Sequence, residues 1–201
     1  MKGLHNMRFA LLAIAAILPA MAQTYTIDTA HSSAQFSVKH LMVSNVRGEF
    51  NKMTGSITWD DKNPAAVAID ATIDVSTIST REPKRDEHLK SPDFFDAAKY
   101  PTMTFKSTKA WKSDGKWRVA GNFTLHGVTK PVTLTLEGPT AEVKDPWGML
   151  RRGASATTAI NRKDFGLGWN KALEAGGVMV GEEVQITLDI EATRKPASAT
   201  N

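Results

Sequence analysis

The stretch 116–136, KWRVAGNFTLHGVTKPVTLTL, decides the fold. In its first half Trp117, Val119, Gly121, Phe123 and Leu125 alternate with Arg118, Ala120, Asn122 and Thr124. In its second half Val132, Leu134 and Leu136 alternate with Thr133 and Thr135. A period of two puts alternate side chains on opposite faces of a strand, so each half reads as a strand with one apolar face. His126-Gly127 between them is turn chemistry. The two halves form a hairpin whose apolar sides share one face.

The same rhythm continues outward in both directions. Ala34, Phe36 and Val38 alternate with polar residues, as do Val46, Gly48 and Phe50. Ile57 and Trp59, then Val67 to Val75, then Met103 and Phe105, and finally Val184 to Ile190 repeat it. A weaker strand from Arg152 to Ile160 carries small residues on both faces. Asp60 to Pro64, Ser113-Asp114-Gly115 and Lys144 to Gly148 separate the runs as turns. Many strands at short spacing indicate a sandwich or barrel. The expectation from the residues is an all-β chain, a sandwich or an antiparallel barrel, with a short helical crossover.

Two segments break the rhythm. Arg81 to Tyr100 shows no alternation. Ser91-Pro92-Asp93 predicts a helix start, with Ser91 as N-cap and Pro92 in the first helical position. Phe94, Phe95 and Ala98 then share one face, and Tyr100-Pro101 ends the helix. Asn161 to Glu183 holds Gly166, Gly168, Gly176, Gly177 and Gly181, and reads as a long loop over one mouth of the barrel.

The N-terminus reads as a secretory signal peptide over residues 1–22. Lys2 and Arg8 precede the apolar run Phe9 to Leu18, and Ala20-Met21-Ala22 is a small-x-small cleavage site. Met7 is an alternative start. Cleavage before Gln23 leaves 179 of the 201 residues. The barrel domain is then 23–193 and residues 194–201 are a flexible tail. Zero Cys removes thiol chemistry and Cys-based metal sites. The formal charge of +4 falls to +2 without Lys2 and Arg8. That is too weak and too scattered for nucleic-acid binding.

Alternation alone fits both a soluble barrel and an outer-membrane barrel. The charged, Thr-rich outer face, the short runs and the helical crossover favour the soluble form. Its inner face then carries few ionisable groups. Such a lumen suits a hydrocarbon chain, while a core packed solid by its own side chains remains open at this point.

Short pieces along the chain carry a resemblance. Tyr25 to Ser32, Phe36 to His40, Ser44 to Phe50, Phe94 to Pro101, Leu125 to Val132, Asn161 to Gly166 and Val180 to Ile186 together resemble the YceI-like family, in order. The resemblance implies an all-β fold, an extended, eight-stranded antiparallel β-barrel (lipocalin-like) with a short helical crossover, periplasmic in bacteria, that binds polyisoprenoid chains such as isoprenoid quinones or polyprenyl phosphates. It implies no cofactor and no catalytic residue.

The residues expected to grip a chain are Phe36, Val38, Phe50, Phe105, Phe123, Leu125, Leu134 and Ile186. Arg81, Arg151, Arg152 and Arg162 are expected near strand ends, where a guanidinium suits a phosphate. Trp147 and Trp169 fall in loops, where they rim a mouth or make transient membrane contact. His31, His40 and His126 show no metal-ligand spacing, and His31 and His126 border turns, where backbone hydrogen bonding is the expected role. Asp60-Asp61, Asp86-Glu87 and Glu182-Glu183 read as solvated turns rather than acid–base pairs. A haem- or metal-binding barrel and a lipid-modifying enzyme are the alternatives.

Overall fold

The computed structural model describes residues 22–174 and 176–196. The expected signal segment up to residue 21 and the tail beyond 196 lie outside the described residues. The strands are β1 (Gln23–Ile27), β2 (Ser33–His40), β3 (Ser44–Phe50), β4 (Met53–Trp59), β5 (Ala68–Asp74) and β6 (Ile78–Ser79). After helix α1 (Pro83–Lys90) come β7 (Thr102–Ser113), β8 (Lys116–Leu125), β9 (Val128–Glu137), β10 (Val143–Lys144), β11 (Leu150–Asn161) and β12 (Val180–Arg194).

Pairing runs β1-β4-β5-β7-β8-β9-β11-β12, and β12 returns to β1 through Thr26↔Thr193 and Ile27↔Ala192. Eight antiparallel strands therefore close on themselves, so the alternating runs form a barrel rather than a sandwich. Strand β12 is long enough to serve two partners on one side: its first part pairs with β2 and its last residues with β1. The extension β2-β3-β6 continues the wall beyond the ring.

The hairpin from β8 to β9 has Leu125 opposite Val128. His126 and Gly127 both adopt positive φ, 52° and 74°. Asp114 and Gly115 do the same between β7 and β8, at 51° and 76°. Positive φ at both central residues matches the twist of the flanking strands. A Cβ on Gly127 would also lie 2.6 Å from the Tyr100 ring.

The helix lies earlier than the sequence suggests. It spans Pro83–Lys90, Glu82 caps it through the Lys84 N–H, and Ser91 ends it. The Ser91 hydroxyl donates to the His88 carbonyl. A Ser-Pro pair fits either side of a helix boundary, because proline is common just past a C-terminus as well as just inside a start. The helix sequence PKRDEHLK offers only Leu89 as an apolar residue, so no helical period announces it. Asp86 belongs to this helix and accepts from the Thr80 N–H at 2.8 Å, so it is a structural acceptor rather than a turn residue. Glu182 and Glu183 lie in β12. Strands β11 and β12 also run further than expected, which shortens the glycine-rich loop to residues 162–179. Arg194, expected in the tail, is the last residue of β12.

Candidate lipid tunnel and its two ends

The inward faces enclose an elongated cavity of about 230 Å³. On β12 it is lined by Val184, Ile186, Leu188, Ile190 and Ala192. Eight residues of rise make about 26 Å of strand, or about 20 Å along the axis at the usual barrel tilt. Two clusters of buried side chains make its walls. One includes Tyr25, Trp59, Phe105, Val119 and Leu136. The other includes Phe50, Val75, Met103, Leu125, Phe165 and Leu167. They meet at Phe123, Val132 and Leu188.

Room remains inside for a physical reason. Phe36, Val38, Phe123, Val132 and Ile186 line the cavity yet keep accessible surface, so the lumen is not filled by its own side chains. Small inward residues help: Gly121, Ala154 and Ala156 stand where larger side chains would project. A Cβ on Gly121 would come within 2.3 Å of the Phe105 ring and 2.6 Å of the Lys106 carbonyl oxygen. The ring lies across this bare backbone instead of crossing the lumen.

All eight of the expected apolar residues, Phe36, Val38, Phe50, Phe105, Phe123, Leu125, Leu134 and Ile186, line the cavity. Tyr25, Trp59, Met53, Ile57, Leu89, Phe94, Phe95 and Leu167 line it too, outside the set of contacts expected from sequence. Ile57 and Trp59 already showed the alternation, whereas Leu89 and Leu167 sit in segments without it.

The charged side chains lining the tunnel, among the described residues, are Arg152 and Arg162, at opposite ends. Arg152 is at the end formed by β1, β10 and the start of β11. Its Nη2 lies 2.6 Å from Asp61 and its Nε donates to the Tyr25 hydroxyl at 3.0 Å. Tyr25 in turn donates to Glu142 at 2.5 Å, and Arg194 pairs with Glu142 at 2.8 Å. Beside them Arg151 meets Asp145 at 2.6 Å, Asp28 at 2.7 Å, and Glu191. Arg151 holds the Asp28 carboxyl below the usual range, helped by His31. Arg152 and the Trp59 indole N–H do the same for Asp61. Burial works against Asp145, but Arg151 and two backbone N–H groups still leave its carboxyl lowered. This is the latch end.

The opposite, lid end is apolar and irregular. Helix α1, the segment after it and the loop 162–179 cover it. Phe94 and Trp169 meet at a tilt, 5.0 Å between ring centres, and His88 sits edge-on to both at 5.1 Å. Phe50 meets Phe95 edge-on at 5.6 Å. Trp169 thus belongs to the lid and packs on α1, although it does not line the cavity. Arg162 is only 4% exposed. Its Nε donates to the Gly181 carbonyl at 2.8 Å, its Nη2 to Val180 at 3.3 Å and its Nη1 to Leu167. Asn170 joins the same strand start by two hydrogen bonds with Val180, at 2.7 and 3.0 Å. Burial pushes the Arg162 guanidinium below its ordinary value.

Arg81 stands apart from the tunnel. It is exposed, with φ 64°, on an outer groove shared with Arg47 and Glu49. Beta-strand pairing places β6 outside the closed ring, which carries Arg81 away from the lumen. Arg151 is likewise taken up by its three carboxylates. Trp147 is 83% exposed on the turn between β10 and β11. The His31 backbone N–H donates to Asp28, as a turn residue should, but its ring also pairs with the Asp28 carboxylate at 3.0 Å. Asp28, His31 and Glu191 are close enough together to hold a metal ion, but Arg151 already supplies the cation to both carboxylates. His126 packs its ring on Tyr100 at 4.6 Å.

Comparison with known proteins follows this geometry. The family model described as YceI-like domain matches residues 25–192. A UPF0312 protein of Vibrio parahaemolyticus is 45% identical over 159 residues, covering 77% of this chain and 84% of that one. The crystal structure of the Campylobacter jejuni YCEI protein superposes with a TM-score of 0.64 at 32% identity, over 79% of this chain and 90% of its own. A polyisoprenoid binding domain from Saccharophagus degradans shares the fold at 15% identity, with a TM-score of 0.60 over 86% and 98% of the two chains.

Proposed function

This chain belongs to the YceI-like family, and we propose that it is a periplasmic carrier that holds a polyisoprenoid or similar long-chain amphiphile in its tunnel. The observation that carries this reading is the apolar cavity of about 230 Å³ running between two capped ends. An apolar cavity of about 150 Å³ already stays dry and accepts benzene. A larger, elongated one suits a slender chain. The polyisoprenoid-binding character of the Saccharophagus degradans domain supports the same ligand class. The near-wholly apolar side chains that line the tunnel, among the described residues, suit the binding of a hydrocarbon chain.

Energetics favour carriage over storage. Each CH₂ moved out of water gains about 0.8 kcal/mol. The ligand's ordinary home is a bilayer, where it is already buried, so the tunnel only has to rival lipid. Exchange with a membrane then needs a contact surface. The β2–β3 tip at the lid end supports one: Met42 and Val43 are 56% and 81% exposed. The signal-peptide pattern at residues 1–22 supports export to the periplasm.

The test is mass spectrometry of organic extracts from protein purified out of its own periplasm. One isoprenoid or long-chain amphiphile per protein is the expected result. Protein that is exported and folded yet yields no lipid, and takes up none when offered, overturns the reading.

A further inference from the structure

We propose that the β2–β3 tip and the lid loop beside it form one docking unit for a bilayer with anionic head groups, and that docking swings this unit about a bulge at Gly181 and opens the tunnel. This deepens the carrier reading and rests on it.

The tip is built against local preference. Leu41 and Met42 adopt positive φ, 51° and 61°. Bulky side chains rarely adopt that region, and a turn that needs it is ordinarily made of Gly or Asn. Here it is made of apolar residues, and it leaves Met42 and Val43 in water, 56% and 81% exposed. Backbone strain and exposed apolar surface both cost stability, a combination that points to function.

The tip also holds the lid. The Leu41 N–H donates to the Met179 carbonyl at 2.8 Å, and the Met179 N–H to the Lys171 carbonyl at 2.9 Å. Ala172 pairs with Val178, so the loop makes a small hairpin beside the tip. A Cβ on Gly177 would lie 3.8 Å from the Met42 side chain. At the base of this hairpin the Trp169 ring rests on Phe94 and His88. Below the unit the ladder breaks. Strands β2 and β12 pair at His40↔Val180 and resume at Val38↔Val184, so Gly181 to Glu183 face Lys39 alone. A bulge interrupts pairing and bends its strand, which makes this the hinge between the unit and the barrel.

Charge and size identify the partner. Lys39 and Lys171 are exposed on either side of the tip and, among the described residues, pair with no carboxylate. Against them the hairpin carries one exposed acid, Glu174. Apolar side chains flanked by lysines suit an anionic bilayer, with the methyl groups below the head groups and the ammonium groups among the phosphates. A stable protein interface buries about 800 Å² on each partner, whereas this tip offers two large side chains. Once Met42 and Val43 enter lipid, the bond from Leu41 to Met179 draws the hairpin with them, and Trp169 leaves Phe94. The tunnel then opens into lipid rather than into water.

The test follows release of a dansyl-labelled farnesol from the loaded, exported protein into rising amounts of vesicles. One set contains phosphatidylglycerol and phosphatidylcholine, the other phosphatidylcholine alone. The release rate should climb several-fold with the amount of phosphatidylglycerol vesicles and change little with the neutral ones. Val43→Asp should flatten that climb, as should Lys39→Glu combined with Lys171→Glu. The chain has no Cys, so Lys39→Cys with Gly181→Cys adds one pair across the bulge. A Cβ on Gly181 would lie 3.0 Å from that of Lys39, a small shift from disulfide spacing. The oxidised form should bind vesicles as its reduced form does, yet release ligand at a rate independent of their amount. If that pair does not fold, the wild type and Val43→Asp decide. A wild-type rate that ignores vesicle amount overturns the docking and leaves the carrier intact, since the ligand then leaves through water. An equal climb with both vesicle types overturns the anionic partner, and an equal climb in oxidised and reduced forms overturns the hinge. A dimer in sedimentation velocity that Val43→Asp dissolves gives the tip to a second copy and overturns the docking too. Failure of the labelled farnesol to bind at all overturns the carrier itself.

Discussion

The latch end and the lid end close the same tunnel by opposite means. At the latch end arginines meet carboxylates through Arg151, Arg152 and Arg194, on strands that are paired along their length. At the lid end a loop and a short helix lean together through aromatic rings, and a single buried arginine gathers the loop by its carbonyls. Ion pairs among fixed strands resist opening. Coil held by ring contacts opens more readily, because local stability follows the density of buried contacts and backbone pairing. The difference makes the lid the expected entrance for a ligand.

The largest effect should come from removing the loop's clasp. Arg162→Met leaves the carbonyls of Gly181 and Leu167 without that donor and should cost about 3 kcal/mol, read as a lower urea midpoint at unchanged slope. No loss would mean that Asn170 and the ring contacts hold the loop alone. At the opposite end Arg152→Met should cost about 1 to 2 kcal/mol, since it breaks the bonds to Tyr25 and Asp61. Ligand release should not speed up in that variant. If it does, the latch end is also a gate.

Trp169→Ala should cost about 1 kcal/mol through its lost ring contacts, yet speed ligand dissociation several-fold in a stopped-flow exchange. That pattern, small in stability and large in rate, is the signature of a lid. Acid should act on the other end. Asp28, Asp61 and Asp145 all have carboxyls lowered from the ordinary 3.8. A lowered native pKa means their contribution is complete above that ordinary value. It is lost as pH falls below about 4 toward the native values. Thermal unfolding between pH 6 and pH 3 should show the decline, and Asp28→Asn should flatten it. An unchanged profile would show that the latch contributes little.

The smallest effect on stability separates the two exposed tips. Val43→Asp and Trp147→Asp should each change stability by less than about 0.5 kcal/mol, being surface changes. Transfer of lipid from vesicles should slow for Val43→Asp alone. Slowing by Trp147→Asp instead would move the membrane contact to the latch end.

Legibility in the sequence followed the strength of the local period. Phe36, Phe105, Phe123 and Ile186 could be placed on the inner face because alternation fixes the face of every residue in a strand. Leu89 and Leu167 reach the same tunnel from segments with no period, so nothing local marks their direction, and Phe94 reaches it from the turn after the helix rather than from a helical face. Ser91-Pro92 is compatible with both ends of a helix, and only its hydrogen bond to His88 says which end it serves. Arg81 and Arg162 look alike in sequence, each basic and near an element boundary. One is carried outside by β6, and the other is folded under the loop.

The chain's own order of residues determined the strands, their apolar faces and the oily character of the interior, because a two-residue period acts at short range and needs no distant partner. The tertiary structure alone decided that the sheet closes into a barrel, that its interior keeps a cavity, that acids meet arginines at one end, and that Arg162 is buried among backbone carbonyls at the other. These depend on where residues more than a hundred positions apart, such as Arg151 and Asp28, come to rest when the sheet closes, and no local pattern records that distance.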